Sequence, residues 1–223
     1  MKTTPSTGAC ALCKERLPKP AMGRHLAACA PRHDRPGGAA CDLWHVRAEG
    51  KGSRLYWIDL EVRGDAPLRR LDEFLRRTWL ECCGHMSAFE IGGQRYSGRV
   101  DREFDLGRAE RSMAARVSSA LTPGRRFSYE YDFGSTTHVV LMVLGTRRGI
   151  ASRSPARLLA RNEPPVWPCA VCAKPASVVC PYCLYEGRPF SCPEHIREHA
   201  CEEEEAFLPV VNSPRMGVCG YTG

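Results

Sequence analysis

The hydrophobic pattern marks three segments in the middle of the chain as β-strands. Residues 56–63 and residues 127–133 alternate apolar with polar side chains, which is typical of strands that bury one face. Residues 134–137 contain the glycine and small polar residues of a turn. Residues 138–144 are apolar at nearly every position after the first, so they predict a strand in the interior of a sheet.

A helical period follows the first of these strands and predicts the main helix. Asp65 is placed to cap this helix, and Pro67 suits its first turn. The apolar stripe of the helix consists of Leu68, Leu71, Phe74, Leu75 and Trp79. Arginines at positions 69, 70, 76 and 77 form the opposite face, and Gly84 is placed to end the helix. With further strands expected at residues 88–91 and 153–162, the pattern predicts an α+β fold, in which a small mixed or antiparallel sheet packs with one main helix.

Prolines and glycines divide the chain into three segments. The first ends in the loop APRHDRPGGAA, and the proline-rich sequence NEPPVWP interrupts regular structure after the second. We therefore predict three domains, at residues 1–40, 41–163 and 164–223.

The overall composition narrows the class of protein. Hydrophobic residues make up 43% and charged residues 26% of the 223 positions, as in globular proteins. No apolar run approaches the roughly 18–20 residues that a membrane span needs, and no secretory signal is recognisable. We therefore expect a cytoplasmic protein with no membrane contact. The net charge of +7 is a weak argument for nucleic acid, because thiolate-rich metal sites would lower it.

The sequence contains thirteen cysteines, an unusually high number for a protein in a reducing compartment. Thiols stay reduced there, so paired cysteines near histidines usually bind metal. Zn2+ prefers four sulfur or nitrogen ligands in a tetrahedron, and a C-x2-C pair directs two thiolates to one ion. The N-terminal segment contains such a set, namely Cys10, Cys13, His25 and Cys29. A leader with unbound thiols is the alternative interpretation.

The strongest metal pattern is C-terminal, where four pairs of ligands suffice for two zinc ions. Interleaving the pairs assigns the first ion to Cys169, Cys172, Cys192 and His195. It assigns the second ion to Cys180, Cys183, His199 and Cys201, and Cys219 could replace one ligand. The alternative is that these cysteines pack as small hydrophobic residues, although so short a segment has little apolar area with which to fold. We predict three Zn2+ ions in the protein, all structural, because four protein ligands leave no position for water.

The central segment contains three landmark sequences: an opening strand LYWIDLEVRG, a Gly-His-x-x-x-Phe segment after the helix, and a Tyr-x-Tyr-Asp-x-Gly hairpin. In this chain their defining residues are Gly84, His85, Phe89, Tyr129, Tyr131, Asp132 and Gly134. These sequences resemble the plasmid pRiA4b ORF-3-like family, with Ser135 to Thr137 where many members have Asp and Trp. The resemblance covers about half of the chain and implies an α+β fold without a settled activity. The C-terminal ligands are similar to those of MYND and HIT-type zinc fingers, except that the last two pairs are more narrowly spaced.

Two residues of the hairpin are candidates for acid–base chemistry. Asp132 and His138 flank its turn, with Glu130 nearby, and could serve a hydrolase or nuclease. A capped turn and a core histidine explain them equally well. The chain has no phosphate-binding glycine motif and no recombinase signature.

Two further patterns have competing interpretations. His85 beside Cys82 and Cys83 could be another metal site, but we interpret it as a helix end packed on the core. Four arginines would share one face of an extended chain and could contact phosphates: Arg147, Arg153, Arg157 and Arg161. An edge strand that uses charge to prevent aggregation is the alternative.

The first hypothesis is a non-enzymatic interaction or adaptor protein with structural zinc sites. Zinc-binding modules would flank the α+β domain, and the C-terminal one would bind another protein. No small-molecule substrate is evident. Nucleic-acid binding through the N-terminal finger and the arginines, as in a protein of mobile elements, is the second hypothesis, and the hydrolase is the third.

Overall fold

A computed structural model describes residues 6–98, 110–185, 187–199, 201 and 207–223 of the protein. Within these residues ten strands form one sheet: β1 (Thr7–Cys10), β2 (Arg16–Pro18), β3 (Ala40–Gly50), β4 (Trp57–Arg63), β5 (Ser87–Ile91), β6 (Gln94–Ser97), β7 (Arg111–Ser112), β8 (Arg126–Tyr131), β9 (Thr137–Ile150) and β10 (Ala156–Asn162). Their order is β2-β1-β10-β4-β3-β9-β8-β5-β6-β7. Neighbours are antiparallel except β6 and β7, which are parallel, so the sheet is mixed.

Few residues are helical. The helical elements are α1 (Lys19–Cys29), a 3-10 turn (Ala30–His33), α2 (Leu68–Leu75), a π turn (Arg76–Leu80), α3 (Val117–Ala120) and two 3-10 turns (Cys183–Tyr185 and Ile196–Glu198). Strands account for 37% of the structure and helices for 19%, so the protein is mainly sheet. A second, three-stranded sheet lies in the C-terminal segment and consists of β11 (Val178–Val179), β12 (Phe190–Ser191) and β13 (Leu208–Pro209). None of the helices in the described ranges is long and apolar enough to cross a membrane.

The predicted strands and helix are present, but the helical segment has no Asp65 cap and ends at Leu80 instead of at the predicted Gly84. The apolar stripe is buried as expected, because Leu68, Leu71 and Leu75 are fully enclosed in the main core. The prediction that Asp65 caps the helix is wrong, since its carboxylate accepts hydrogen bonds from Arg63. The π turn then carries the chain on to Leu80.

Strand β4 is buried on both faces, so the prediction of a half-buried strand is wrong for it. One face of β4 contributes to the main core, while Trp57 on the other packs in a second core beneath α1. Asp59 and Glu61 share the face of Trp57 and are also buried. Asp59 is bonded to Arg47 and Glu61 to Arg147, and these ion pairs make the burial tolerable.

The N-terminal segment enlarges the sheet beyond the small one predicted. Strand β1 pairs with β10, and β2 continues the sheet beyond β1. Helix α1 buries Met22, Leu26 and Cys29 in the second core. With 11 residues α1 is longer than the 8-residue α2, so the described part of the chain contains two comparable helices instead of one main helix. The predicted domain boundary between residues 40 and 41 stays a prediction.

Candidate metal centres

The first predicted cluster is built by a tight turn and a helix. Cys10 ends β1, where its N–H donates to Glu15 O (2.9 Å) and its C=O accepts from Lys14 N–H (3.0 Å). Lys14 has a φ of 69°, so the chain reverses directly after Cys13. His25 and Cys29 are four residues apart on α1 and therefore lie on one face of the helix.

The same turn recurs in the C-terminal segment, where residues 169–172 read Cys-Ala-Val-Cys against Cys-Ala-Leu-Cys at residues 10–13. The Cys169 N–H donates to Lys174 O (2.7 Å), and the Cys169 C=O accepts from Ala173 N–H (3.1 Å). Ala173, in the position equivalent to Lys14, has a φ of 59°. A C-x2-C pair followed by one left-handed residue thus gives the same hydrogen-bonded loop at both ends of the protein.

Distances between donor atoms match those across a tetrahedral zinc ion. Zinc–sulfur bonds of about 2.3 Å imply sulfur–sulfur separations of about 3.8 Å, and sulfur–nitrogen separations of about 3.5 Å. The Sγ atoms of Cys10 and Cys29 are 3.9 Å apart, and Cys13 Sγ lies 3.3 Å from His25 Nε2. A disulfide has a sulfur–sulfur distance of only about 2.05 Å, and the cysteines are free thiols.

In the C-terminal segment the ligands group as the interleaved assignment predicts. In the first group Cys172 Sγ is 3.7 Å from Cys192 Sγ, which lies 3.2 Å from His195 Nδ1. In the second group Cys183 Sγ is 3.7 Å from Cys201 Sγ and 3.4 Å from His199 Nε2. In each of the three predicted groups the four donor atoms lie within 4.8 Å of one another. All twelve predicted ligands are therefore brought together in sets that fit one ion each.

A carboxylate lies near the outer ring nitrogen of the histidine in two groups, but only His25 has it at hydrogen-bond distance. His25 presents Nε2 to the sulfurs, while its Nδ1 lies 3.2 Å from Glu15 Oε2. His195 presents Nδ1, and its Nε2 lies 3.9 Å from Glu198 Oε1. A carboxylate on the outer ring nitrogen fixes the tautomer and is the usual partner of a metal-bound histidine.

The pKa values of two predicted ligand thiols are shifted in opposite directions. Backbone N–H groups of Cys172, Cys192 and Val171 lower the pKa of Cys169 to about 6. Burial and the neighbouring sulfurs raise the pKa of Cys29 to about 12. Three thiolates this close repel one another, and a divalent ion between them removes the repulsion and deprotonates the coordinating thiols.

A fourth group, which the sequence did not reveal as a set, has the same compactness. Its members are Cys82, Cys83, His85 and Cys219. His85 does pack against the core, since its ring lies edge-on to Tyr131 at 5.7 Å, and it also belongs to this group of possible metal ligands. Cys219 joins this group instead of the C-terminal ones. Four groups in the described part of the chain could therefore hold metal ions, all with donors suited to zinc.

The candidate acid–base residues lie in different surroundings. Asp132 is buried, and its Oδ2 accepts from the Arg215 guanidinium at 2.8 Å. Burial raises the pKa of Asp132, but the hydrogen bonds from Arg215 and from the Gly134 and Ser135 N–H groups together outweigh burial and lower the pKa. His138 is 42% exposed and lies 3.6 Å from Glu130. The Asp132 carboxylate is thus part of an ion pair instead of facing His138.

Two of the four arginines of the predicted face contact acidic residues of the protein. Arg147 and Arg157 both contact Glu61 and Asp34, which lie on the α1 side of the sheet. Arg161 is largely buried, which lowers its pKa, and donates to Asn212 O. Arg153 is exposed. Three of the four arginines are therefore committed to internal partners.

Comparisons with known proteins bear on the central segment. The family model described as Plasmid pRiA4b ORF-3-like protein matches residues 50–166, which include β4, α2 and the β8–β9 hairpin. No curated protein matches the chain. A crystal structure of a protein of unknown function from Methanosarcina mazei Go1 has 18% sequence identity and a TM-score of 0.45, over 54% of this chain and 68% of that one. All three predicted zinc clusters lie outside the residues that the family model matches.

Proposed function

Since this chain belongs to the plasmid pRiA4b ORF-3-like family, we propose that it is a non-enzymatic adaptor built on that family's domain. Three structural zinc ions shape the segments on either side of the domain. The C-terminal segment, similar to MYND and HIT-type modules, binds another protein.

One observation carries the zinc assignment: in each of the three groups the four donor atoms lie within 4.8 Å of one another. Four protein ligands complete the tetrahedron, so no position remains for a water or a substrate. A closed site of this kind stabilises a small segment and does not activate a nucleophile. This supports a structural role for each ion.

Exposed apolar side chains on the C-terminal segment support a protein partner. Val166 is 74% exposed, Val171 57% and Tyr182 51%. Val171 lies between the two cysteines of the first group's knuckle, and Tyr182 lies between Cys180 and Cys183 of the second. Zinc ligation fixes the backbone at both positions, and preorganised side chains lose less entropy on binding. Tyrosine is also among the residues enriched at protein interfaces.

The test of this proposal combines metal counting with partner binding. Native mass spectrometry is expected to find zinc on all three groups, and each of Cys10→Ser, Cys172→Ser and Cys183→Ser is expected to remove one ion. A partner isolated with the wild-type chain and then purified is expected to lose affinity for the Val171→Asp/Tyr182→Asp variant at least tenfold, with the zinc content unchanged.

Leu55→Asp is the matched control for partner binding, because Leu55 is 41% exposed and lies in a loop before β4. It is expected to bind the partner as the wild-type chain does. Equal affinity of the double variant and the wild-type chain would contradict binding through this surface. Fewer than three ions held by the three groups would contradict the zinc assignment.

Nucleic-acid binding is the second candidate and rests on exposed basic residues of the N-terminal segment, Lys14 and Arg24. It would give an affinity that falls steeply with salt, because bound phosphates release counterions. The variant Lys14→Gln/Arg24→Gln separates the two candidates. A salt-dependent affinity that this variant abolishes would favour nucleic acid, whereas binding that is absent or independent of salt would favour the adaptor.

The hydrolase or nuclease centred on Asp132 and His138 is the third candidate. The ion pair between Asp132 and Arg215 gives that carboxylate a different function. Turnover of an ester or phosphodiester substrate by the wild-type chain, lost in His138→Ala, would favour the hydrolase or nuclease.

A further inference from the structure

The fourth cysteine–histidine group joins two parts of the chain that are distant in sequence. Cys82 and Cys83 follow the π turn, and His85 comes just before β5. Gly84, between Cys83 and His85, has a φ of 76°, a left-handed conformation that glycine adopts without strain. Cys219 belongs to residues 210–223, which follow β13 and are called the tail below. It also has a left-handed φ, of 51°.

The donor atoms of this group are as close as those of the other three. All four lie within 4.8 Å of one another, and His85 Nε2 is 3.3 Å from Cys219 Sγ. The three cysteines are free thiols. Three sulfurs and one imidazole nitrogen form the same donor set as each predicted zinc group.

The surroundings of the group are those of a metal site. The Nδ1 atom of His85 lies 3.5 Å from Asp132 Oδ1, so its Nε2 is left to face the sulfurs. The Arg215 guanidinium donates to Cys82 Sγ at 3.3 Å and to Asp132 Oδ2 at 2.8 Å. A zinc ion with three thiolates carries one net negative charge, and a neighbouring guanidinium compensates it. The carboxylate near the outer histidine nitrogen repeats the pair of His25 with Glu15.

Contacts that involve no metal hold the tail against the domain. The Arg215 side chain is fully buried and packs over the Tyr131 ring at 4.8 Å. Ser213 Oγ donates to Trp79 O at 2.6 Å, and Asn212 Oδ1 accepts from the Asn162 side chain at 2.8 Å. These contacts place Cys219 opposite the other ligands before any ion binds, so little entropy opposes binding.

We infer that Cys82, Cys83, His85 and Cys219 bind a fourth zinc ion, which fastens the tail to the α+β domain. The ion has four protein ligands and is structural. None of its ligands is buried, and Cys83 and Cys219 are exposed, whereas each of the other three groups contains at least one buried cysteine. This ion is therefore the one that a chelator reaches first.

Native mass spectrometry of the full chain tests the inference with Zn2+ alone as the probe. The wild-type chain is expected to hold four ions, and Cys219→Ser and Cys83→Ser three each. The double variant Cys83→Ser/Cys219→Ser is also expected to hold three, because both residues serve one ion. Cys41→Ser, a half-buried free thiol outside the four groups, is the matched control and is expected to hold four.

Cobalt provides a second readout. Replacing zinc with Co2+ gives thiolate-to-metal absorption, which is expected to fall by about a quarter in Cys219→Ser, since one Cys3His site of four is lost. The inference is overturned if wild type and Cys219→Ser bind equal numbers of ions, if the double variant loses two, or if Cys219 is found in a disulfide. The ions of the other three groups are counted separately with Cys10→Ser, Cys172→Ser and Cys183→Ser, so failure of this inference can be distinguished from failure of the proposed function.

Discussion

The N-terminal cluster and the fourth cluster both consist of three cysteines and one histidine, but their ligands come from very different distances along the sequence. The ligands of the first lie within residues 10–29, and Cys10 and Cys29 are themselves part of the small core beneath α1. The fourth cluster brings together His85 and Cys219, which are 134 positions apart, on a surface that other contacts have already built. We therefore expect the N-terminal segment to need its metal ion to fold, whereas the fourth ion would bind to a site that other contacts have already formed.

The largest effect is expected from Cys29→Ala, which removes a ligand and part of the N-terminal core together. Structural zinc contributes about 10–16 kcal/mol in isolated finger peptides, so a loss on the order of 5 kcal/mol or more is expected here. Urea unfolding at a fixed zinc concentration measures it. Cys41→Ala, a thiol outside the clusters, is expected to change the free energy of unfolding by less than about 1 kcal/mol. Similar losses in the two variants would show that the N-terminal ion does not stabilise the fold.

The next effect concerns the metal-free anchor of the tail. Arg215→Met keeps a long side chain over the Tyr131 ring but leaves the buried Asp132 carboxylate without its partner. Breaking a buried ion pair costs about 3–5 kcal/mol, and this loss is expected in urea unfolding. Adding Asp132→Asn is expected to recover part of the lost free energy of unfolding, because the buried carboxylate charge is then removed. A loss in Arg215→Met that appears only when zinc is present would mean that the ion, and not the ion pair, holds the tail.

A smaller effect is expected from Asp34→Asn, which weakens the attachment of the N-terminal segment to the sheet without changing a zinc ligand. Hydrogen bonds from Arg147 and the Ile150 N–H lower the pKa of Asp34, although burial opposes them. Hydrogen bonds to charged groups contribute about 1.5–3 kcal/mol, so a loss of this size is expected at pH 7.

The pH dependence separates this variant from the zinc-ligand variants. A carboxylate with a lowered pKa contributes fully above its unfolded-state value, near 3.8, and loses that contribution as the pH falls through the folded-state value. The difference between wild type and Asp34→Asn is therefore expected to stay constant from pH 7 to pH 5. The difference for Cys29→Ala is expected to shrink over the same range, because protons displace zinc from thiolates and imidazole. Unfolding measurements across this range would contradict the comparison if both differences changed alike.

The contrast between the clusters also explains which features the sequence could predict. Ligands such as Cys10 and Cys13 are recognisable because a knuckle and one turn of helix fix their geometry within a few residues. The alternation of apolar and polar residues around Tyr129 and the helical period of apolar residues around Leu71 are also local patterns. The sequence therefore predicts β8 and α2. Cys219 follows no spacing rule relative to His85, since the packing of the tail determines their proximity.

Charges buried by distant partners were the other features that escaped prediction. Glu61 looked like a solvent-facing residue of a half-buried strand, but Arg147 and Arg157 come from strands that follow about 90 residues later and compensate it. Because Arg147 and Arg157 form these ion pairs, they are not free to contact phosphates, and the argument for nucleic-acid binding is weaker. A pattern along one strand predicts which side chains share a face, but not whether another part of the chain covers that face.

The smallest effect is expected from Cys219→Ser, although it removes a whole metal ion. The ion-pair and hydrogen-bond anchors of the tail remain, so the variant is expected to lose only the free energy of zinc binding to a preformed site. At free zinc 10–100 times the dissociation constant this is about 1–3 kcal/mol. Hydrogen exchange is expected to quicken at amides near Cys219 and to stay unchanged in α1. Global unfolding on the scale of Cys29→Ala would show that the fourth ion is as much a part of the fold as the first.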